Sequence, residues 1–329
     1  MRCARIGSLE VPVIGLGCMN LSFGYGAADE SESIALLNRA IDAGVTFLDT
    51  AMMYGGGHNE SLIGQALAGR RDEFVLASKC GLSADGIDGD PARVRADCEA
   101  SLARLGTDVI DLYYLHRVDP NVPVEETVGA MGRLVEAGLV RELGLSEVST
   151  ATLRRACAAH PVAALQSEYS LWSRTPEFGA LDACAELGVA FVPFSPLGRG
   201  FLAGSAHDVD TLAADDLRAT IARPRFEPAA FRANLALLDR LCGHADELGC
   251  TSGQLALAWL VDRAAPPAMV AIPGTRDIAH LLENAAAADV RLDAARRAML
   301  DALFDEAAVA GDRYTAERMS SADAERDRD

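Results

Sequence analysis

Phe47-Leu48-Asp49-Thr50-Ala51-Met52-Met53-Tyr54-Gly55-Gly56-Gly57-His58-Asn59-Glu60 is the stretch from which the rest of the chain can be read. It begins as an apolar strand and ends that strand on a carboxylate, Asp49. A tyrosine comes 5 residues later, then three glycines, and Asn59 or Ser61 can cap the helix that follows. A tyrosine ordinarily titrates near pH ~10, so it becomes a useful acid only beside a cation. The next apolar strand, Phe74-Val75-Leu76-Ala77-Ser78-Lys79, ends on one. Lys79 is the only lysine among 30 basic residues. An arginine-rich coding bias would strip lysines everywhere and let one survive by chance. Arginine serves as well at an exposed ion pair, however, whereas a compact ammonium that tunes a neighbour is a role it fills poorly. Lys79 is therefore read as a site residue.

The surrounding chain alternates apolar strands with amphipathic helices. After a short hairpin around Ser8-Leu9-Glu10, Val13–Met19 reads as a first buried strand, with Gly15 and Gly17 permitting close backbone approach. Its glycines do not form a G-x-G-x-x-G turn opening a helix, so no Rossmann turn is assigned. Helices follow over 31–43, 59–69, 91–105, 124–137, 149–159, 176–187, 229–248, 252–263 and 278–287. Further strands are expected over 45–49, 74–79, 109–116, 140–146, 163–166, 189–194 and 269–272. Pro91 and Gly106 bracket one helix in the usual order. Eight strands, each with its helix and apolar enough to be buried on both faces, predict a (β/α)8 TIM barrel with an N-terminal β-hairpin and extra helices. An open doubly wound sheet competes, but polar residues close nearly every strand, which suits a ring of loops better than one crevice. Residues 1–315 are read as one domain and 316–329 as a polar, disordered tail. The irregular insert 201–228 is long enough to be a binding loop or lid.

The length, 329 residues, and the 50% hydrophobic content allow a large core. A net charge of −18 disfavours nucleic acid and anionic membrane as partners, and any phosphorylated ligand must be held by local arginines. No signal peptide or membrane-spanning run is found, so a cytoplasmic location is expected. The eight cysteines include no C-x-x-C pair and are read as reduced, mostly buried thiols. Cys80, beside Lys79, is either a reactive thiolate or a core thiol, and the core reading is favoured because no base lies near it in sequence.

In a barrel, strand ends share one mouth. The predicted ends carry Asp49 with Tyr54, Lys79, His116, Ser146 with Glu147, Gln166, Phe194 with Ser195 and Leu197, and Gly274-Thr275-Arg276. A lone histidine there is commonly a packed or solvated imidazole; four titratable groups at successive ends are not so easily dismissed.

Asp49, Tyr54, Lys79 and His116, spaced by 5, 25 and 37 residues, resemble the catalytic tetrad of the aldo-keto reductase superfamily. Supporting matches are Asn59-Glu60, Gly144-Leu145-Ser146, Gln166–Ser170, Phe194–Gly198, Ile272–Arg276 and Glu283-Asn284. The wording His116-Arg117-Val118-Asp119-Pro120 is similar to the bacterial and plant-type branch. The resemblance implies NADP(H), no metal, and reduction of an aldehyde or ketone, with Tyr54 as general acid, Lys79 and Asp49 tuning it, and His116 orienting the carbonyl. It implies that Ser146 and Gln166 hold the nicotinamide carboxamide and that Phe194 stacks on the ring. Ser195, Pro196, Leu197, Gly198 and Gly200 would line the pyrophosphate. Gly17, Cys18, Met19, Ile272, Gly274 and Thr275 would complete the groove, Arg276 would meet the 2′-phosphate, and His280, Glu283 and Asn284 the adenosine. Met19, Met52, Met53, Tyr54, His116 and Arg117 would form the substrate pocket.

Several residues depart from the family pattern. Glu147 stands where many relatives have Asn, Phe194 where Tyr is usual, and His280 where Arg or Gln is common. Met19 and Arg117 take places that aldose reductases give to tryptophan. Arg117 either attracts an acidic or polar substrate or pairs with Asp119, the reading favoured here; Met52 and Met53 suit a pocket or the core equally. The alternatives on the same fold are a non-catalytic NADP-binding regulatory subunit and a Schiff-base lyase using Lys79. The carbonyl substrate and the oligomeric state stay open.

Overall fold

The computed structural model of the chain describes residues 1–204, 209–262 and 266–328. Strands β1 (Cys3–Ile6) and β2 (Leu9–Pro12) pair antiparallel as the expected hairpin. The barrel strands are β3 (Leu16–Gly17), β4 (Phe47–Asp49) and β5 (Val75–Cys80); a two-stranded excursion, β6 (Leu82–Ser83) and β7 (Gly86–Ile87), precedes β8 (Ile110–Leu115), β9 (Val140–Ser146), β10 (Ala164–Glu168) and β11 (Ala190–Phe194). Seven of them form one parallel sheet in the order β11-β10-β9-β8-β5-β4-β3. The expected eighth strand, 269–272, makes isolated bridges instead of a continuous ladder. Met269 pairs with Phe191 on one side and Ala271 with Ile14 on the other. Pro273 has no N–H with which to extend the pairing. The segment still closes the ring: Gly15 N donates to Ala271 O at 2.8 Å and Ile272 N to Pro193 O at 3.1 Å. Gly17 is needed at this seam, because a Cβ there would stand 2.8 Å from Ile272 O.

Helices α1 (Glu30–Asp42), α2 (His58–Ala66), α3 (Pro91–Leu105), α4 (Val124–Glu136), α5 (Thr150–Ala159) and α6 (Ala180–Leu187) return the chain between strands. Their ends follow local chemistry. Asp90 accepts from Ala92 N to start α3, and Gly106 stops it at φ 63°. The helix expected over 176–187 is broken at Gly179, φ 138°, into a 3-10 turn and α6. After β11 come α7 (Arg223–Phe226), α8 (Pro228–Leu248), α9 (Ser252–Val261), α10 (Ile278–Ala286), α11 (Ala294–Leu303) and α12 (Ala316–Ser321). No described helix is long and apolar enough to cross a membrane.

Strand alternation splits the core into two layers. Phe47, Ala77, Leu112, Tyr114, Val192 and Ile272 pack inside the ring, where the hairpin residues Ile6, Leu9 and Val11 join them as a plug. Tyr113, Leu115 and Leu145 face the helices. Each such buried large side chain contributes about 1.5–3 kcal/mol.

The C-terminal residues, expected to be disordered from 316 onward, differ from that expectation. They form α12 and a 3-10 turn over Asp323–Arg328. The acids are the reason: Asp323 accepts from Ser149 N at 2.8 Å and Asp327 from Thr150 N at 2.9 Å, capping the start of α5. Composition alone reads these residues as solvated charge.

Candidate active site

Asp49 ends β4 and Lys79 lies in β5, whose pairing with β4 sets Asp49 opposite Ala77. The lysine stem runs along the inner wall, and its ammonium is fully buried. All three N–H donors are spent: on Asp49 Oδ1 at 2.5 Å, Thr50 O at 2.9 Å and Tyr54 Oη at 3.3 Å. Burial pushes the Lys79 amine down, but Asp49 and then Tyr54 more than compensate, so it stays charged. Burial pushes the Tyr54 phenol up and outweighs the pull of Lys79, so it keeps its proton at neutral pH. Asp49 is oriented from its far side by Gln166 Nε2 at 2.7 Å.

His116 follows β8, with its ring edge-on to Tyr54 at 5.9 Å and 87°. Burial, helped by the charges of Arg117 and Lys79, holds its imidazole well below the ordinary value, so it is neutral. Its Nδ1 is buried without a partner among the described residues. Asp49, Tyr54, Lys79 and His116 therefore converge at one end of the ring.

The support of this cluster is only partly what motif reading suggests. Asn59 does not cap α2; it accepts from Thr50 Oγ1 at 2.6 Å and donates to Cys18 O at 2.8 Å, tying the loop after β4 to that after β3. Glu60 accepts from Ser78 Oγ at 2.5 Å and pairs with Arg104. Cys80 is a core thiol, donating to Tyr114 O at 3.5 Å and pushed up by burial.

Arg117 does not pair with Asp119, contrary to the favoured expectation. It donates to His116 O at 2.6 Å and to Ser146 Oγ at 3.2 Å. Asp119 is turned away to accept from Gly89 N and Asn121 N, which hold its carboxyl below the ordinary value although burial opposes them. Met19, Met52 and Met53 are half-buried and lie outside both buried apolar clusters.

Around the mouth, Phe194 is half-buried at the end of β11. The loop beyond it is conformationally costly: Ser195 (φ 48°) and Arg199 (φ 56°) are left-handed without being glycine, as is Glu147 (φ 55°) after β9. Each such residue costs about 1–3 kcal/mol, and such strain collects at functional sites. Gly198 must lack a side chain, since a Cβ would lie 2.5 Å from Trp172 Nε1. Gly200 shares this turn at φ 94°, and Pro196 and half-buried Leu197 lead into it. The insert expected as a binding loop or lid meets the segment after β3 where described: Leu217 N donates to Gly24 O at 2.9 Å, and the Arg218 guanidinium covers the Tyr25 ring at 5.3 Å. Residues 205–208 of that insert lie outside the described residues.

Gly17, buried Cys18, buried Ile272, Gly274 and buried Thr275 meet at the seam between β3 and the closing segment. Arg276 is half-buried and donates to Ala27 O at 2.6 Å and to Tyr25 O. Among the described residues its partners are neutral carbonyls, and no acid pairs with it. On α10, His280 is exposed, Asn284 is buried, and Glu283 accepts from Thr251 Oγ1 at 2.6 Å.

Sequence reading missed a buried ionic cluster beside Ser146 and Gln166. Glu147 and Glu168 meet Arg199 and Arg313, which approach from opposite ends of the second half of the chain. No spacing signals contacts across such separations.

Comparison with known proteins agrees with this geometry. Residues 13–305 match the model of the aldo/keto reductase family. An aldo/keto reductase from Klebsiella pneumoniae, crystallised with NADP and acetate, is 32% identical, with 92% of this chain and 95% of that one covered at a TM-score of 0.74. The glycerol dehydrogenase of Gluconobacter oxydans is 26% identical, with 92% and 94% covered at 0.83. A thermostable aldo-keto reductase in complex with the inhibitor epalrestat is 31% identical, with 92% and 100% covered at 0.72. The match runs from the first barrel strand through the closing segment and past Arg276, so this chain belongs to the aldo/keto reductase family.

Proposed function

We propose that the chain is an NADP(H)-dependent reductase that converts an aldehyde or ketone to an alcohol. The observation that carries this reading is the buried ammonium of Lys79, shared between Asp49 and Tyr54. NADP(H), when bound, supplies the hydride for the carbonyl carbon. Tyr54 gives its phenolic proton to the carbonyl oxygen as negative charge gathers there. Lys79, 3.3 Å away, then stabilises the phenolate left behind. His116, neutral and with an unsatisfied ring nitrogen, orients the same oxygen by a hydrogen bond.

The chain's residues fit the cofactor. The half-buried Phe194 offers a ring at the mouth, Ser146 and Gln166 stand at adjacent strand ends, and Arg276 has no acidic partner among the described residues. The Klebsiella relative crystallised with NADP supports the same assignment. Ser195, Pro196, Leu197, Gly198 and Gly200 are assigned to the pyrophosphate, Arg276 to the 2′-phosphate, and His280 with Asn284 to the adenosine. The Glu283 carboxylate is engaged by Thr251, which weakens its claim to the adenine. Met19, Met52, Met53 and Arg117 rim the substrate pocket.

A Schiff-base lyase needs a neutral lysine amine, and Asp49 holds Lys79 protonated. A non-catalytic subunit has no use for the intact Tyr54–Lys79–Asp49 chain. Stopped-flow mixing of enzyme and NADPH with 4-nitrobenzaldehyde decides between these readings. Decay of NADPH absorbance on an enzyme-dependent timescale is expected. NADPH binding without any decay at high enzyme concentration would favour the non-catalytic reading.

A further inference from the structure

We propose that Arg313, in the C-terminal segment beyond the family match, is a positioning residue for the nicotinamide-side strand ends. This rests on the cofactor reading above. The family match ends at residue 305, yet the Arg313 side chain is only 2% exposed, deep beside the mouth. Its Nη2 lies 2.7 Å from Glu147 Oε2, off the N–H direction, so charge attraction joins them. Its Nε donates to Glu325 Oε1 at 2.5 Å, which anchors the guanidinium to its own segment.

Glu147 is the residue after Ser146, and its left-handed backbone turns the chain out of β9. Its backbone N donates to Gln166 O at 2.9 Å, and its Oε1 accepts from Glu168 N at 2.9 Å. Glu147 thus ties β9 to β10 through its backbone N and its side chain, next to the two residues assigned to the carboxamide. Glu168 extends the lock, because its Oε2 takes Arg199 Nη2 at 2.7 Å from the loop assigned to the pyrophosphate. Arg199 Nη1 closes the circuit on Arg313 O at 3.3 Å. The Tyr314 ring meets both guanidinia, 5.0 Å from Arg199 and 4.9 Å from Arg313.

Two buried carboxylates this close cannot both stay ionised without cations. Removing Arg313 leaves Glu147 to take up a proton or swing toward water. Either change loosens its strained turn, and with it Ser146 and the Glu168–Arg199 link. The C-terminal segment is thus a built part of the cofactor groove, and Glu147 is occupied as its anchor instead of touching the cofactor.

The test is the Kd for NADPH of Arg313→Met, measured by quenching of protein fluorescence, beside its melting temperature and its KM and kcat. A rise in Kd and in KM for NADPH of about tenfold, in the usual range of coupling between sites, is expected, with kcat at saturating NADPH largely retained. Arg313→Lys keeps the charge but not the two-pronged reach, and should fall between. Glu147→Gln combined with Arg313→Met removes the charge stranded next to Ser146 and should recover most of the affinity. If Arg313→Met lowers only the melting temperature and leaves Kd and KM unchanged, the residue is merely structural and the proposal is overturned. If that variant does not fold, Tyr314→Leu, which removes the ring that both guanidinia contact, should raise Kd in the same direction; an unchanged Kd there also overturns it. A wild-type protein that fails to bind NADPH would instead refute the cofactor reading itself.

Discussion

Replacing Lys79 by methionine separates what the buried charges do for stability from what they do for chemistry. The ammonium is fully buried and 2.5 Å from Asp49. Methionine fills similar volume but leaves the Asp49 carboxylate buried with Gln166 as its one side-chain donor among the described residues. Breaking a buried pair in this way typically costs about 3–5 kcal/mol. The chemical loss is of another kind. At an effective dielectric of about 20, a unit charge at the 3.3 Å observed favours the Tyr54 phenolate by about 5 kcal/mol, before the opposing field of Asp49 is counted. That is roughly three to four powers of ten in acidity. Lys79→Met should therefore lower the urea midpoint and slow single-turnover reduction about a thousandfold or more. Adding Asp49→Asn removes the stranded carboxylate, so the double variant should regain most of the stability and none of the rate. Urea unfolding followed by circular dichroism, with stopped-flow single turnovers, measures both. Equal stability of single and double variants, or a double variant that turns over, would refute the reasoning.

Arg276→Ala should weaken NADPH far more than NADH in parallel fluorescence titrations. Equal losses would mean that Arg276 only clamps the loop through its bonds to Tyr25 O and Ala27 O. The pH dependence has two expected features. Burial raises Tyr54 above its ordinary ~10, so the rate of carbonyl reduction should stay level through neutral pH and fall only above about 10. His116 is held well below its ordinary ~6.5. Below that pH the unfolded chain binds a proton that the native ring refuses, so stability should decline as pH drops under about 6.5. His116→Gln should flatten that part of the decline, and a His116 proton resonance that titrates near 6.5 in the folded protein would contradict it.

The barrel was legible because its signals are local. Continuous apolar runs ending in polar residues, and caps such as Asp90-Pro91 and Gly106, need no tertiary knowledge. The convergence of Asp49, Tyr54, Lys79 and His116 was legible for the same reason, each sitting at a strand end or on the loop that follows. What escaped depends on distant partners. The closing segment 269–272 looks like a strand, but it makes only isolated bridges to Phe191 and Ile14 on its two sides. The C-terminal acids read as solvated charge, yet they cap α5 and hold Arg313. Arg117 was paired with Asp119 on proximity in sequence, while backbone N–H groups had the stronger claim on that carboxylate. Glu147 was read as a strand-end residue and a departure from the family's Asn; its partner Arg313 lies on a segment the motif does not reach.

The account stands most directly on Tyr54→Phe, which removes one oxygen and leaves the ring beside His116. NADPH affinity and single-turnover reduction of 4-nitrobenzaldehyde are measured on the same preparation. Affinity close to wild type with a rate lower by about a hundredfold or more is the predicted result. A variant that binds NADPH and reduces the aldehyde at the wild-type rate would show that the proton comes from elsewhere.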